Sequence, residues 1–199
     1  MTLPKYTKPI LWTLCVLVAL ASFAGQRGPV SVTMPHLAHY LPDTQFALYA
    51  HILFAPLALL LMPLQFMPKL RTRRRGLHRL VGRIYVMSIV IAGFASLVML
   101  PSSQATLFAR AGFAVLAVLW IGFTVKAVMA ARAGDIQTHQ RWMIRSATLT
   151  FAAVMLRLIM LPLMISGWTV VQTYNVTAWG AWVPILILVE RTVLRRKVR

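Results

Sequence analysis

Apolar residues run along this chain in long blocks that lack the strict alternation of a half-buried strand. The blocks extend from Ile10 to Ala24, Phe46 to Phe66, Leu80 to Leu100, Leu107 to Ala131, Trp142 to Ser166 and Thr177 to Leu194. A hydrocarbon core of about 30 Å is crossed by about twenty mostly apolar residues in a helix. Only helices and closed barrels satisfy every backbone polar group in lipid. The pattern therefore predicts an all-α bundle of six transmembrane helices. It forms a single integral membrane domain over residues 1–199, with 195–199 as a basic tail.

Punctuation between the blocks agrees. Pro101, Ser102 and Ser103 predict a tight turn. The connection from Gln26 to Gln45 is longer and holds Pro29, Pro35, Pro42, His36 and His39; it reads as a lid on the membrane or as a simple connector. Pro56 and Pro63 in the second block and Pro162 in the fifth each remove a helical hydrogen bond and permit a kink. The first block has two readings. Lys5 and Lys8 ahead of an apolar run ending in SFAG resemble a secretory leader, but the expectation carried forward is a retained helix.

Composition fixes the solvent. The chain is 59% hydrophobic and only 12% charged, well below a soluble surface. Its formal charge of +18 arises from 21 Lys and Arg against three acids. Such an excess would suit nucleic acid if it lined one face. Here the cations sit at the ends and in the gaps of the apolar blocks, so no nucleic-acid partner is expected.

Their distribution sets an orientation. With the amino terminus in the cytoplasm, eighteen of the 21 cations face inward and only Arg27, Arg110 and Arg157 fall elsewhere. Both termini are then expected inside a bacterial cytoplasmic membrane. The stretch RTRRRGLHRLVGRIY (71–85) becomes a topological anchor that meets anionic headgroups, at about 1 kcal/mol per cation near the surface. Trp168, Trp179 and Trp182 mark the outer rim and Trp142 the inner one. Cys15 is the only cysteine, which excludes an intramolecular disulfide.

Two inner segments are alike. LHRLVGR (77–83) and THQRWMIR (138–145) each place a histidine at a helix entry, followed by arginines four apart, as an old two-helix duplication would. The strings HILFAPLALLLMPLQF, LHRLVGRIY and HQRWMIRSATLTFAAV resemble the motifs of a bacterial membrane family, domain of unknown function 2306 (DUF2306), over roughly residues 45–165. The resemblance implies a multi-helix membrane protein and carries no established activity. Met62 stands where the family usually has glycine, and Ala147 where an aromatic residue is common.

His78 and His139 open the third and fifth helices at similar depth. Two imidazoles facing across a bundle suit haem iron, with Arg79, Arg83, Arg141 and Arg145 available to haem propionates. In outline this is similar to membrane b-type cytochromes, with haem b as cofactor and a quinol or other redox partner. No helix, however, carries two histidines about thirteen residues apart, as many such cytochromes do. Helix-end histidines also serve as caps and headgroup contacts.

In the outer half, His51 lies about 8 Å and Arg157 about 13 Å below the surface by helical rise. A cation there faces an interior partner or a wet cavity. The partner of Arg157 is a carbonyl, a lipid phosphate or an anionic ligand. The rival to a cytochrome is accordingly a small carrier or lipid-interacting protein that binds an anionic group at His51 and Arg157, and a third reading is a structural subunit. Gln65 and Gln104 read as interface residues, Glu190 as the partner of an arginine, and Asp135 as a helix cap. Met155, Met160 and Met164 read as packing rather than a copper site. Neither Gly93 nor Gly122 belongs to a GxxxG pairing motif.

Overall fold

The computed structural model describes residues 7–194, and every regular element among them is helical. Lys5 and the basic tail at 195–199 lie outside the described residues. The first helix, α1 (Thr7–Ala24), leads through a short turn at Gly25–Arg27, a single turn α2 (Val30–Thr33) and a 3-10 segment at Pro35–Tyr40 into α3 (Leu41–Gln65). The connection expected between Gln26 and Gln45 is thus a series of helical turns. Pro42 sits in the first turn of α3, where its missing N–H costs nothing.

After α3 come the interfacial turn α4 (Pro68–Arg73) and the long helices α5 (Arg75–Met99), α6 (Leu107–Arg132) and α7 (Ile136–Ile165). Thr106 caps α6 by accepting from the N–H of Ala109, and Asp135 caps α7 by accepting from Thr138. Between those helices Gly134 adopts a φ of 77°, a left-handed conformation that glycine takes without Cβ strain.

Five stretches are long and apolar enough to cross a membrane: Pro9–Arg27, Pro35–Gln65, Arg75–Met99, Leu107–Arg132 and Ile136–Ile165. Their large exposed side chains, such as Leu53, Met87, Phe94, Val118 and Leu161, are those a lipid-facing surface requires. This is a multi-helix membrane protein.

The continuous sixth helix expected from Thr177 to Leu194 is corrected. Helix formation starts earlier, in α8 (Val170–Gly180), behind a capping box of Thr169 and Gln172. It breaks at Trp182 (φ −129°, ψ −35°) and resumes as α9 (Val183–Val189), followed by a π-turn at Glu190–Leu194. Pro184, which has no N–H to donate, occupies the first turn of α9, so the break falls where a helical bond would be lost. Even so, this segment runs from one end of the bundle to the other. Asn175 accepts from the hydroxyl of Thr106 near the start of α6, and Glu190 meets Arg145 near the start of α7.

Trp182, expected at the outer rim, is buried, and its indole donates to the carbonyl of Ala178 at 2.6 Å. Trp168 is exposed, as a rim residue should be. The most extensive packing joins α3 to α5 and α6 to α7. Tyr85, Ile89, Leu59 and Val154 lie at the centre of the core.

Candidate functional site

Polar side chains gather at three levels of the bundle. At the end of the bundle expected to face inward, His139 on α7 bonds the carbonyl of Ala127 on α6 through Nδ1 at 2.9 Å. A carbonyl only accepts, so Nδ1 carries a proton, and the neutral tautomer with this bond has its lone pair on Nε2. His78 on α5 lies within Coulombic reach of His139 and of Arg71, and its Nδ1 is buried without a hydrogen-bond partner. The two inner histidines of the sequence reading are therefore brought together.

Their proposed arginine company is more divided. Arg79 and Arg83 are exposed, while Arg141 and Arg145 are half-buried. Arg145 forms a two-pronged ion pair with Glu190, Nε to Oε1 at 2.5 Å and Nη2 to Oε2 at 2.9 Å. It also lies 4.5 Å from the ring centre of Trp142, and Lys126 lies 4.7 Å from that same ring centre. The carboxylate expected to find an arginine thus fixes the end of the last segment to α7, and Arg145 is committed to it.

At mid-bundle the sequence reading does not single out the residues that matter. Thr150 on α7 donates to the carbonyl of Ser146 and accepts from the Tyr85 hydroxyl and the Trp120 indole, both at 2.9 Å. One turn inward, Thr124 donates to the carbonyl of Trp120 and accepts from Ser146 at 2.7 Å. Every hydroxyl proton in this buried ladder is used, and Thr150 has both lone pairs and its proton occupied. The signal was the run SATLT at 146–150, which places three hydroxyls inside an apolar helix.

At the opposite end, His51 on α3 bonds the carbonyl of Ala92 on α5 through Nδ1 at 2.9 Å. Arg157 on α7 donates to its own helix at Ala153 (2.9 Å) and to the Ser22 hydroxyl on α1 (3.0 Å). Two of its five N–H donors are used, and both acceptors are neutral. His36, His51 and Tyr174 stand within Coulombic reach of this guanidinium.

A cavity of about 130 Å³ is lined by His36, His39, Gln104, Tyr174, Val170 and Val171; neither Arg157 nor His51 is in this lining, and His36 and Tyr174 are the lining residues within Coulombic reach of the guanidinium. In a 3-10 turn, side chains three apart stack over one another. This is how the segment Pro35–Tyr40 brings His36 and His39 onto one wall. The Nε2 of His39 is buried and without a partner. A second, apolar hollow of about 320 Å³, between α1 and the end of α3, contains Trp12, Leu17 and Met67 and no histidine. Among the described residues no three of His, Cys, Asp and Glu are placed to share a metal ion.

Comparison with protein families matches the profile of the predicted membrane proteins DUF2306 to residues 48–193. Neither the curated proteins nor the solved structures contain a match to this chain.

Proposed function

Since the chain belongs to the DUF2306 family of predicted membrane proteins, we propose that it crosses a bacterial cytoplasmic membrane six times and binds an anionic group at its outer end through Arg157. In this reading α8 and α9 together make the sixth passage, and an even number of crossings leaves both termini in the cytoplasm. The inward bias of the cations supports that orientation.

One observation carries the ligand assignment. Arg157 lies within the apolar span Ile136–Ile165, and among the described residues its hydrogen-bond acceptors are a carbonyl and a hydroxyl. A cation so placed costs at least about 2.5–3.5 kcal/mol on insertion scales, and the remaining donors point to a negatively charged partner. The neighbouring cavity supplies room, with His36, His39, Gln104 and Tyr174 to hold the ligand's oxygens and valines to meet an apolar stem. A carboxylate- or phosphate-headed amphiphile fits this chemistry, and the function is that of a small carrier or lipid-binding protein. The test is a solvent extract of wild type and Arg157→Leu purified in a neutral detergent. Wild type should release an anionic amphiphile that the variant lacks, and equal recovery from both would overturn the proposal. Removing a charge from hydrocarbon should leave insertion intact.

The paired inner histidines favour a second reading. The bond from His139 to Ala127 leaves Nε2 free for iron, and His78 is near it. Haem b between them would serve electron transfer with a quinol or another redox partner. Arg79, Arg83 and Arg141 would meet propionates, whereas Arg145 is held by Glu190. A Soret band in haem-replete preparations, lost on changing His78 or His139, is the expected result. A protein without visible absorbance would remove this reading.

A further inference from the structure

We infer that the inner end of the α3–α5 hairpin holds a phosphate oxyanion between Gln65, His78 and Arg71. The first observation is a buried amide. Gln65, at the last turn of α3, is 9% exposed, and its Nε2 has no hydrogen-bond partner. Such a group carries its full desolvation penalty until something accepts from it. The amide rests against Gly82 of α5, where an added Cβ would come within 3.2 Å of Oε1.

Gly82 lies four residues after His78, so both occupy one face of α5, a turn apart. His78 supplies the second observation, because its Nδ1 is also buried without a partner. Gln65 of α3 rests on the turn of Gly82 and His78 stands on the next turn of α5, so the two unpaired nitrogens share one explanation, an acceptor that the protein does not provide.

Charge identifies that acceptor. Between positions 69 and 83 the chain has seven Lys and Arg and no acid. The turn α4 that carries Arg71 packs against both α5 and α3, and Arg71, after His139, lies within electrostatic reach of His78. The inner-end carboxylates are engaged elsewhere, Asp135 in capping α7 and Glu190 with Arg145. A phosphate accepts from amide, imidazole and guanidinium together and neutralises the cations. At the level of α4, the phosphodiester of an anionic phospholipid is at hand, and free phosphate has the same chemistry. Haem ligation would make competing use of His78, and this niche does not depend on the outer site.

The experiment uses the full chain in a phosphate-free maltoside detergent, with phosphatidylglycerol added in one arm and inorganic phosphate in the other, and reads the thermal midpoint. Wild type should be stabilised by phosphatidylglycerol. Gln65→Leu and Arg71→Gln should need about tenfold more of it for the same shift, while Arg73→Gln, equally exposed on α4 but not among the charges that act on His78, should respond as wild type. In detergent alone, Gln65→Leu should melt no lower than wild type, since it removes an unsatisfied amide. If inorganic phosphate reproduces the shift and Gln65→Leu abolishes it, the ligand is the free ion. The inference is overturned if neither addition stabilises wild type, or if Gln65→Leu and Arg71→Gln respond as wild type does. It is also overturned if Arg73→Gln loses as much as Arg71→Gln.

Discussion

The side-chain amide of Gln26 donates to the backbone carbonyl of Ile52 at 2.7 Å. Ile52 is four residues before Pro56, so this is the carbonyl whose helical donor the proline removes. A freed acceptor at membrane depth needs a partner from elsewhere. Gln26 provides it and at the same time ties the end of α1 to α3. Gln26→Leu should lower stability by about 1–3 kcal/mol, read as a lower thermal midpoint in detergent. In Pro56→Ala, where the helix can supply its own N–H, the same change should cost much less. Equal losses in both backgrounds would contradict the assignment.

The buried ladder makes a graded prediction. Thr150→Val takes the acceptor from two donors, Tyr85 and Trp120, whereas Tyr85→Phe removes one bond and leaves no orphaned donor. Tyr85→Phe should cost about 0.6–1.7 kcal/mol, the range for single bonds between membrane helices. Thr150→Val should cost distinctly more. Unfolding titrations of the two variants give the comparison, and the reverse order would show that the ladder does not bind α5 and α6 to α7.

Asp135 gives a pH dependence outside the membrane. Its bond from the backbone N–H of Thr138 holds the carboxyl below its ordinary value. A carboxylate with a depressed folded pKa adds stability that is fully present above the unfolded pKa. That stability is lost as pH falls through the folded value. Acidification below about 3.9 should therefore fray the start of α7, and Asp135→Ala should fray it at neutral pH with little further effect of acid. Asp135→Asn should keep the cap and lose the pH dependence. Hydrogen exchange at residues 136–139 reads both effects.

The orientation can be tested with single-cysteine variants in a Cys15→Ser background. In intact cells a membrane-impermeant maleimide should label a cysteine at Ser102 and leave one at Arg74 unlabelled. The opposite pattern would invert the assignment of ends.

What the sequence discloses follows from which forces act locally. Long apolar runs must become helices in lipid, so five of the spans are legible, although the second and fifth start earlier than expected, at Pro35 and Ile136 rather than Phe46 and Trp142. Glu190 and Asp135 are legible because a carboxylate in this setting has few alternatives to an arginine or a helix start. The ladder of Tyr85, Trp120 and Thr150 is not, because a threonine in a helix can satisfy itself on the carbonyl four residues back and only packing reveals the extra partners. Likewise, His36 and His39 read as loop residues until the 3-10 turn stacks them. The break at Trp182 was marked by Pro184, but an apolar run on both sides concealed it.

The most direct measurement of the proposed function is equilibrium binding of a simple amphiphile, decyl phosphate, to purified wild type, Arg157→Lys and Arg157→Leu. Saturable binding should occur in wild type, weaken in Arg157→Lys because the forked guanidinium is lost, and vanish in Arg157→Leu. Undiminished binding to Arg157→Leu would contradict the account.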